Sequence, residues 1–343
     1  MVRLVRCTVL LAVDGVTALN RGSDPNRRGR QGDTMDSSAF FAYARERHSI
    51  HLRRSAGLPR DEWTQDAILR EYRFCNIFRE LDTTTEWFAH HVRTPLRDSP
   101  DVLLATALFR WFNRISTGEA VFLNRMRWDD HDGTAWEHLV RTGRIDPVRR
   151  AILAHCGTGP YVTGSYIIKT MDGVDKLSGV LLAITRFMRQ SRAVAPGSVL
   201  DQGEMSRMLL RERGQHALEF VWRWLTLFPY LGHFMAYEIV TDLRHTALLD
   251  QAQDIMTWAN PGPGAERGLN RIMGRDVRKR MSRRVLLEEM QTLLAQCTDP
   301  ANWPSDWPAW EMREVEHTLC EFDKYERVRL GQGAPRQKFR STR

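Results

Sequence analysis

Lysine is scarce in this chain: of 50 basic side chains only five are Lys, and no Lys follows a Gly. The second fact excludes the phosphate loop G-x-x-x-x-G-K-[ST], whose lysine reaches the terminal phosphates, so the chain is not by itself a P-loop kinase. HExxH is absent, as is H-x-E with a downstream P-C-x-x-C, which removes the common zinc hydrolases and deaminases. No G-x-S-x-G elbow occurs to carry a hydrolase serine. The five cysteines (Cys7, Cys75, Cys156, Cys297 and Cys320) are odd in number and far apart. They show neither a disulfide framework nor CxxC metal spacing, which fits a reducing compartment. We therefore expect no metal and no cofactor, and a cytoplasmic protein (nuclear in a eukaryote) that is not secreted. No apolar run reaches the roughly 18 residues of a membrane span, so no membrane partner is expected. There is no strand ladder and no repeat of fixed period.

The formal net charge is +8, from 50 basic and 42 acidic residues, but it is concentrated at the ends. Residues 1–34 contribute six Arg and three Asp, and the basic tail 336–343 contributes Arg336, Lys338, Arg340 and Arg343. That leaves 40 basic and 39 acidic side chains in the body, 35–335. A nucleic-acid surface in the body must therefore be a local patch. Arginine over lysine suits bidentate phosphate contacts, and it also follows from codon bias in a GC-rich genome. Residues 1–34 differ in composition from the rest. Their apolar run, Thr8–Val13, is short for a signal peptide, and an upstream extension with the start at Met35 is the expectation.

From Ser37 onward, apolar residues recur at three and four, the period of a helix. Tyr72–Asp82 reads as one helix, with Phe74, Ile77, Phe78 and Leu81 on one stripe and Arg73, Asn76 and Glu80 beside it. Thr83 and Glu86 have the spacing of a capping box. Further helical patterns cover 101–114, 118–127, 146–155, 176–191, 203–227, 233–245, 285–296 and 309–330. Gly157-Thr158-Gly159-Pro160, Ala195-Pro196-Gly197, Asn260–Gly264 and Trp303–Pro308 interrupt them. The expected class is all-α, a helical bundle. A break near 193–202 would divide it into lobes 35–195 and 200–335, with continuous packing as the alternative.

Two stretches carry the nucleic-acid argument. In Trp222–His245 an apolar helix ends at Leu227-Phe228, Pro229-Tyr230-Leu231-Gly232 turns, and a second helix opens at His233. This layout resembles the helix-hairpin-helix of the DNA glycosylase superfamily, in which such a turn aims backbone N–H groups at a DNA phosphate. Tyr230 stands at the usual first glycine, and Phe234 stands where base-excising lyases carry their lysine. The alternative is an ordinary αα-hairpin. Downstream, Gly262-Pro263-Gly264 and Arg267 precede Arg275, Arg278, Lys279, Arg280, Arg283 and Arg284, a patch offset only by Asp276. Such a patch neutralises phosphates, or is a solvated helix face. The glycines stop a helix, or allow close approach to a flipped nucleotide.

Glu71-Tyr72-Arg73-Phe74-Cys75-Asn76-Ile77-Phe78-Arg79-Glu80-Leu81-Asp82 resembles the signature of the helical domain attached to phage 5-hydroxymethyluracil DNA kinases. Related amino-acid:DNA transferases, the α-glutamyl/putrescinyl-thymine pyrophosphorylases, share it. Leu108–Asn113, Phe228–His245, Gly262–Leu269 and Cys320–Tyr325 fit later family segments in the same order, over about 40–330. The resemblance implies a glycosylase-like helical protein of thymine hypermodification, free-standing, that transfers an amine or amino acid onto a phosphate-activated base. Implied partners are double-stranded DNA with a modified pyrimidine, a separate DNA-base kinase and a small amine. A non-catalytic base-reading module and a monofunctional glycosylase are the other readings. Candidate roles follow from residue chemistry. Arg73 and Arg79 would hold a base-linked phosphate. Asn76 would read a thymine-like edge, with Asn113 in a second family segment. Tyr166 or Trp258 would stack on an extruded base. Asp242 or Asp254 would deprotonate the amine. Pro229, Gly232, His233, Gly262, Gly264, Arg267, Arg278, Lys279 and Arg280 would meet DNA. For most of these side chains, core packing or internal pairing is the competing use.

Overall fold

The computed structural model describes residues 35–128, 131–189, 201–335 and 338–339. The extension 1–34 lies outside the described residues, as does most of the break considered near 193–202 and most of the basic tail. Among the described residues the chain is helical, with one two-stranded sheet.

The centre is a pair of packed helices, α4 (Val102–Phe112) and α11 (His233–Leu243). Every residue of α4 is buried, and α11 is buried from Met235 onward. A helix that is apolar nearly all round belongs in a core. Yet α4 carries one buried charge, Arg110, and α11 carries two, Glu238 and Asp242. Around this pair lie α1 (Ser38–Ser55), α2 (Ala67–Glu71), α3 (Thr83–Phe88), α5 (Ile115–Gly118), α6 (Ala135–Thr142), α7 (Asp146–Cys156), α8 (Lys176–Arg189), α9 (Gln202–Arg211) and α10 (Leu218–Leu225). The last three are α12 (Pro263–Ile272), α13 (Arg283–Gln296) and α14 (Met312–Arg329). Helices α12 and α14 touch almost backbone to backbone. A Cβ on Gly264 would fall 2.4 Å from Cys320 Sγ, and one on Gly268 would fall 2.4 Å from the Leu319 carbonyl. Glycine at these two positions serves helix packing.

The all-α expectation holds, and most helices lie where the periodicity puts them. Several local readings do not. Tyr72–Asp82 is not a helix: α2 ends at Glu71, Tyr72 and Phe78 have extended dihedrals, and a 3₁₀ turn spans Arg79–Leu81. The backbone N–H groups of Cys75 and Asn76 donate to Glu321 Oε2 (3.0 Å) and Asp82 Oδ1 (2.9 Å), so tertiary carboxylates replace the i−4 carbonyls a helix would use. The segment is a strap, and its shared polar arc does not exist. No Thr83–Glu86 capping box forms, because Asp82 is the N-cap and Thr83 is already helical. The stretch 118–127 divides into α5, a π turn over Glu119–Leu123 and strand β1 (Arg125–Arg127). This strand pairs antiparallel with β2 (Asp132–Thr134), Arg125 facing Thr134, a ribbon the sequence reading lacked. The long pattern 203–227 is two helices, α9 and α10, with Gly214 at φ +81° in the connection. Three helices, α2, α6 and α12, fall in none of those patterns. Helix α6 has a true capping box, Thr134 with Glu137. Helix α12 opens at Pro263, so Gly262-Pro263-Gly264 starts a helix rather than stopping one or forming a loop. No helix among the described residues is long and apolar enough to cross a membrane.

Candidate functional site

The strap turns Asn76 and Arg79 inward and leaves Arg73 exposed. Asn76 is buried and fully engaged: its Nδ2 donates to the Leu81 carbonyl (2.6 Å) and Asp82 Oδ1 (3.0 Å), and its Oδ1 accepts from Arg47 Nη2 (2.7 Å). It therefore positions Arg47 and the strap instead of offering a free edge. Arg79 is bidentate to Glu238 on α11, at 2.9 and 2.8 Å. Arg73 points out, its guanidinium 5.5 Å from the Phe339 ring.

Behind the strap a charge network fills the α4–α11 contact. Asp242 has no exposed surface and accepts from Arg110 Nε (2.5 Å), Arg110 Nη2 (2.9 Å) and Arg93 Nη1 (2.9 Å). Arg93 also pairs with Glu80, which is shared with Arg313 (3.1 Å). Asn113 Oδ1 accepts from Arg110 Nη1 (2.9 Å), with Asn113 in the left-handed region at φ 46° as the C-cap of α4. Burial alone would raise the Asp242 carboxyl, but Arg110 and then Arg93 outweigh it and hold it below the usual range. Burial likewise opposes charge on Glu80, yet Arg313 and Arg93 hold it well down. His245 is pushed to about 4 by burial and the neighbouring Arg313, so it is neutral at pH 7. Asp242, with three hydrogen bonds from two guanidinium groups and no exposed surface, thus has no accessible face to give an amine. Asp254 is also committed: its two carboxylate oxygens accept from the Leu218 (2.6 Å) and Glu219 (3.0 Å) amides at the start of α10.

The open space lies on the other side of the strap. A cavity of about 500 Å³ is walled by Arg47, Arg54, Arg60 and Arg70, by Trp63, Tyr72, Phe74 and Phe339, and by Asp61 and Glu71 among others. Arg54 lies over Trp63 and Arg60 over Phe339, each 4.9 Å from the ring centroid. Glu71 is taken by Lys338, whereas Nη1 of the buried Arg47 has no hydrogen-bond partner among the described residues. The tail segment 338–339 bridges to Tyr72 and closes one wall. Of this wall, Glu71, Tyr72 and Phe74 lay in a stretch the sequence singled out. The arginines come from α1, a 3₁₀ turn and α2, and no spacing in the sequence joins them.

The α10–α11 hairpin stands apart from the cavity lining. Tyr230 adopts φ 67°, the left-handed conformation that glycine takes without steric cost. Gly232 is the N-cap of α11 with no side-chain cap, and Pro229, Gly232, His233 and Phe234 are exposed. Trp222 Nε1 and Asn260 Nδ2 both donate to the His233 carbonyl, at 3.0 and 3.2 Å, which braces the turn. Trp258 is buried in a cluster with Trp222 and Tyr237. Tyr166 donates to the Arg110 carbonyl (3.2 Å) and stacks edge-on against Phe234.

The basic cluster is only partly a cluster. Arg275 pairs with Glu289, Arg280 with Glu266, and Arg284 with Glu288, while Arg283 lies over the Trp222 ring. Arg267 pairs with Asp323. Arg278 and Lys279 are exposed and show no side-chain partner among the described residues. The Gly262 amide donates to Glu316 Oε1 (3.2 Å).

A family profile described as "5-hmdU DNA kinase, helical domain" matches residues 35–334. The chain belongs to this family. It is similar to the 5-hmdU DNA kinase of Bacillus phage SP10, with 25% identity over 267 residues, or 74% of this chain and 39% of that protein. The chain therefore spans about two fifths of the length of this relative. No solved structure matches. The matched region contains the strap, the buried network, the cavity arginines and the α10–α11 hairpin.

Proposed function

We propose that this chain modifies a 5-hydroxymethyluracil-derived base in double-stranded DNA, by moving an amine or amino acid onto a phosphate-activated 5-methylene group. The observation that carries the proposal is the cavity beside the strap: guanidinium groups from Arg47, Arg54, Arg60 and Arg70 among aromatic faces. An extruded pyrimidine nucleotide needs an apolar or aromatic slot for the ring and cations for the charged 5-substituent. A volume of about 500 Å³ is within the usual range for a small-molecule site.

In this reading the amine nitrogen bonds to the methylene carbon as the carbon–oxygen bond to phosphate or pyrophosphate breaks. The arginines receive the leaving anion. Asp61 takes the amine proton, because Asp242 and Asp254 are committed inside the fold and Glu71 is paired with Lys338. A separate kinase supplies the phosphorylated base. The exposed N-terminus of α11, with Tyr230 in the glycine-like conformation, docks a backbone phosphate as a helix-hairpin-helix does. Arg278 and Lys279 add non-specific attraction.

The commitment of Asp242 and Asp254 favours one second reading, a base-reading module that presents modified DNA to another enzyme. Nucleoside mass spectrometry separates the two after incubation of protein and a diamine with DNA containing 5-hydroxymethyluracil or its phosphate ester. The amine adduct is expected from phosphorylated DNA, with turnover reduced at least about tenfold in Arg54→Ala, Arg70→Ala and Asp61→Asn. Selective binding of phosphorylated DNA without product assigns the module reading. Equal affinity for phosphorylated and plain DNA refutes both.

A further inference from the structure

Cys75 and Asp82 both belong to the strap, Asp82 as its last residue before α3, and His317 lies on α14. One ligand atom from each lies within 4.8 Å of the other two. We infer that these three side chains form a binding site for a divalent transition ion of the zinc type, which clips the strap to α14.

Three observations carry this. Tetrahedral bonds of about 2.0–2.3 Å put ligand atoms roughly 3.3–3.8 Å apart, so small side-chain rotations convert the present arrangement into a coordination shell. Each group also keeps a donor atom uncommitted. His317 is buried, 8% exposed, and its Nε2 has no hydrogen-bond partner among the described residues. Asp82 Oδ1 accepts from the Asn76 amide and side chain, whereas Oδ2 has only the Arg79 Nε at 3.8 Å, beyond hydrogen-bond range. No hydrogen bond to Cys75 Sγ occurs among the described residues, although its backbone amide is fixed by Glu321. Finally, one sulfur, one nitrogen and one carboxylate oxygen make a donor set that selects zinc-like ions over magnesium or calcium.

Charge is compatible with the site. A thiolate and a carboxylate neutralise a divalent ion, and the thiol proton leaves to solvent as the metal enters. Arg79 keeps its bidentate partner Glu238, and Lys324 keeps Glu321 (2.7 Å), so neither nearby cation depends on Asp82. Three protein ligands leave a fourth position for water or for a group brought by substrate. Because the ligands are some 240 residues apart in sequence at the extreme, 75 and 317, no short motif could announce them.

The test uses the full chain, stripped with chelator and titrated with Co²⁺ and then Zn²⁺. One Co²⁺ per chain should bind with a thiolate-to-cobalt charge-transfer band, and Zn²⁺ should displace it while Mg²⁺ does not. Cys75→Ser, a near-isosteric change at a half-buried site, should abolish the band and weaken Zn²⁺ binding about a hundredfold. Zn²⁺ should raise the melting temperature of the parent and not of Cys75→Ser. His317→Gln should behave like Cys75→Ser where it folds. Absence of the band in the parent, or an unchanged band in Cys75→Ser, overturns the inference; the second result would assign the metal to another cysteine. Neither outcome touches the cavity chemistry, which is read by nucleoside analysis.

Discussion

The Asp242 network gives the most demanding prediction. Asp242→Asn removes one negative charge and leaves the shape. The carboxylate holds three hydrogen bonds from two guanidinium groups, Arg93 at 4% exposure and Arg110 at 1%. After the change Arg93 still has Glu80, but the nearest remaining carboxylate to Arg110 is Glu238, 3.9 Å away. A buried cation that loses its partner costs about 3–5 kcal/mol. Urea unfolding followed by tryptophan fluorescence should show that loss as a lower midpoint with an unchanged slope. Asp242→Asn combined with Arg110→Met removes both charges and should recover part of the loss, giving a favourable coupling in a double-mutant cycle. The pH dependence has a definite sign. The folded carboxyl is held below its ordinary 3.8, so its contribution is present above that value and lost as pH falls through the folded value. The variant should therefore have a flatter acid limb than the parent. A parental midpoint for Asp242→Asn, with turnover abolished, would refute this reasoning and make Asp242 a catalytic base.

Three other outcomes follow from the same geometry. Burial raises Glu314 from its ordinary 4.5 to about 7 against the opposing pull of Arg313, so stability should fall as pH rises from about 4.5 through about 7 and level off above it, by at most ~3 kcal/mol in all, and Glu314→Gln should flatten that fall in pH-dependent melts. Gly268→Ala would place a methyl group 2.4 Å from the Leu319 carbonyl, so α12 and α14 must separate; a loss of about 1–3 kcal/mol in chemical denaturation is expected, and a neutral effect would contradict the close packing. Arg278→Ala with Lys279→Ala should weaken DNA binding uniformly across sequences and flatten the salt slope by about one to two, and an unchanged slope would leave the pair as solvated surface.

The sequence by itself determined the helical class, and it placed α4, α7, α8, α11, α13 and α14 closely. In α7, α8 and α13 the burial of an apolar face repeats at the helical period, which local periodicity reports directly, whereas α4 and α11 are nearly continuous buried runs. It also carried the family resemblance, which the match over 35–334 establishes. What it could not determine was the conformation of Tyr72–Asp82. There Phe74, Ile77, Phe78 and Leu81 have helical spacing, whereas the strap is held by the Glu321 and Asp82 carboxylates and buries Asn76 together with Ile77 and Phe78. The use of each charge was equally hidden. Asp242 and Arg110 are 132 residues apart, and only the crossing of α11 over α4 makes them a pair instead of a base and a phosphate ligand. The cavity has the same origin: Arg47, Arg70 and Phe339 share one wall because α1, α2 and the returning tail meet there. Side-chain period is a local property of the chain, whereas pairing partners and cavities are set by which distant segments pack together, and that was decided by the tertiary structure alone.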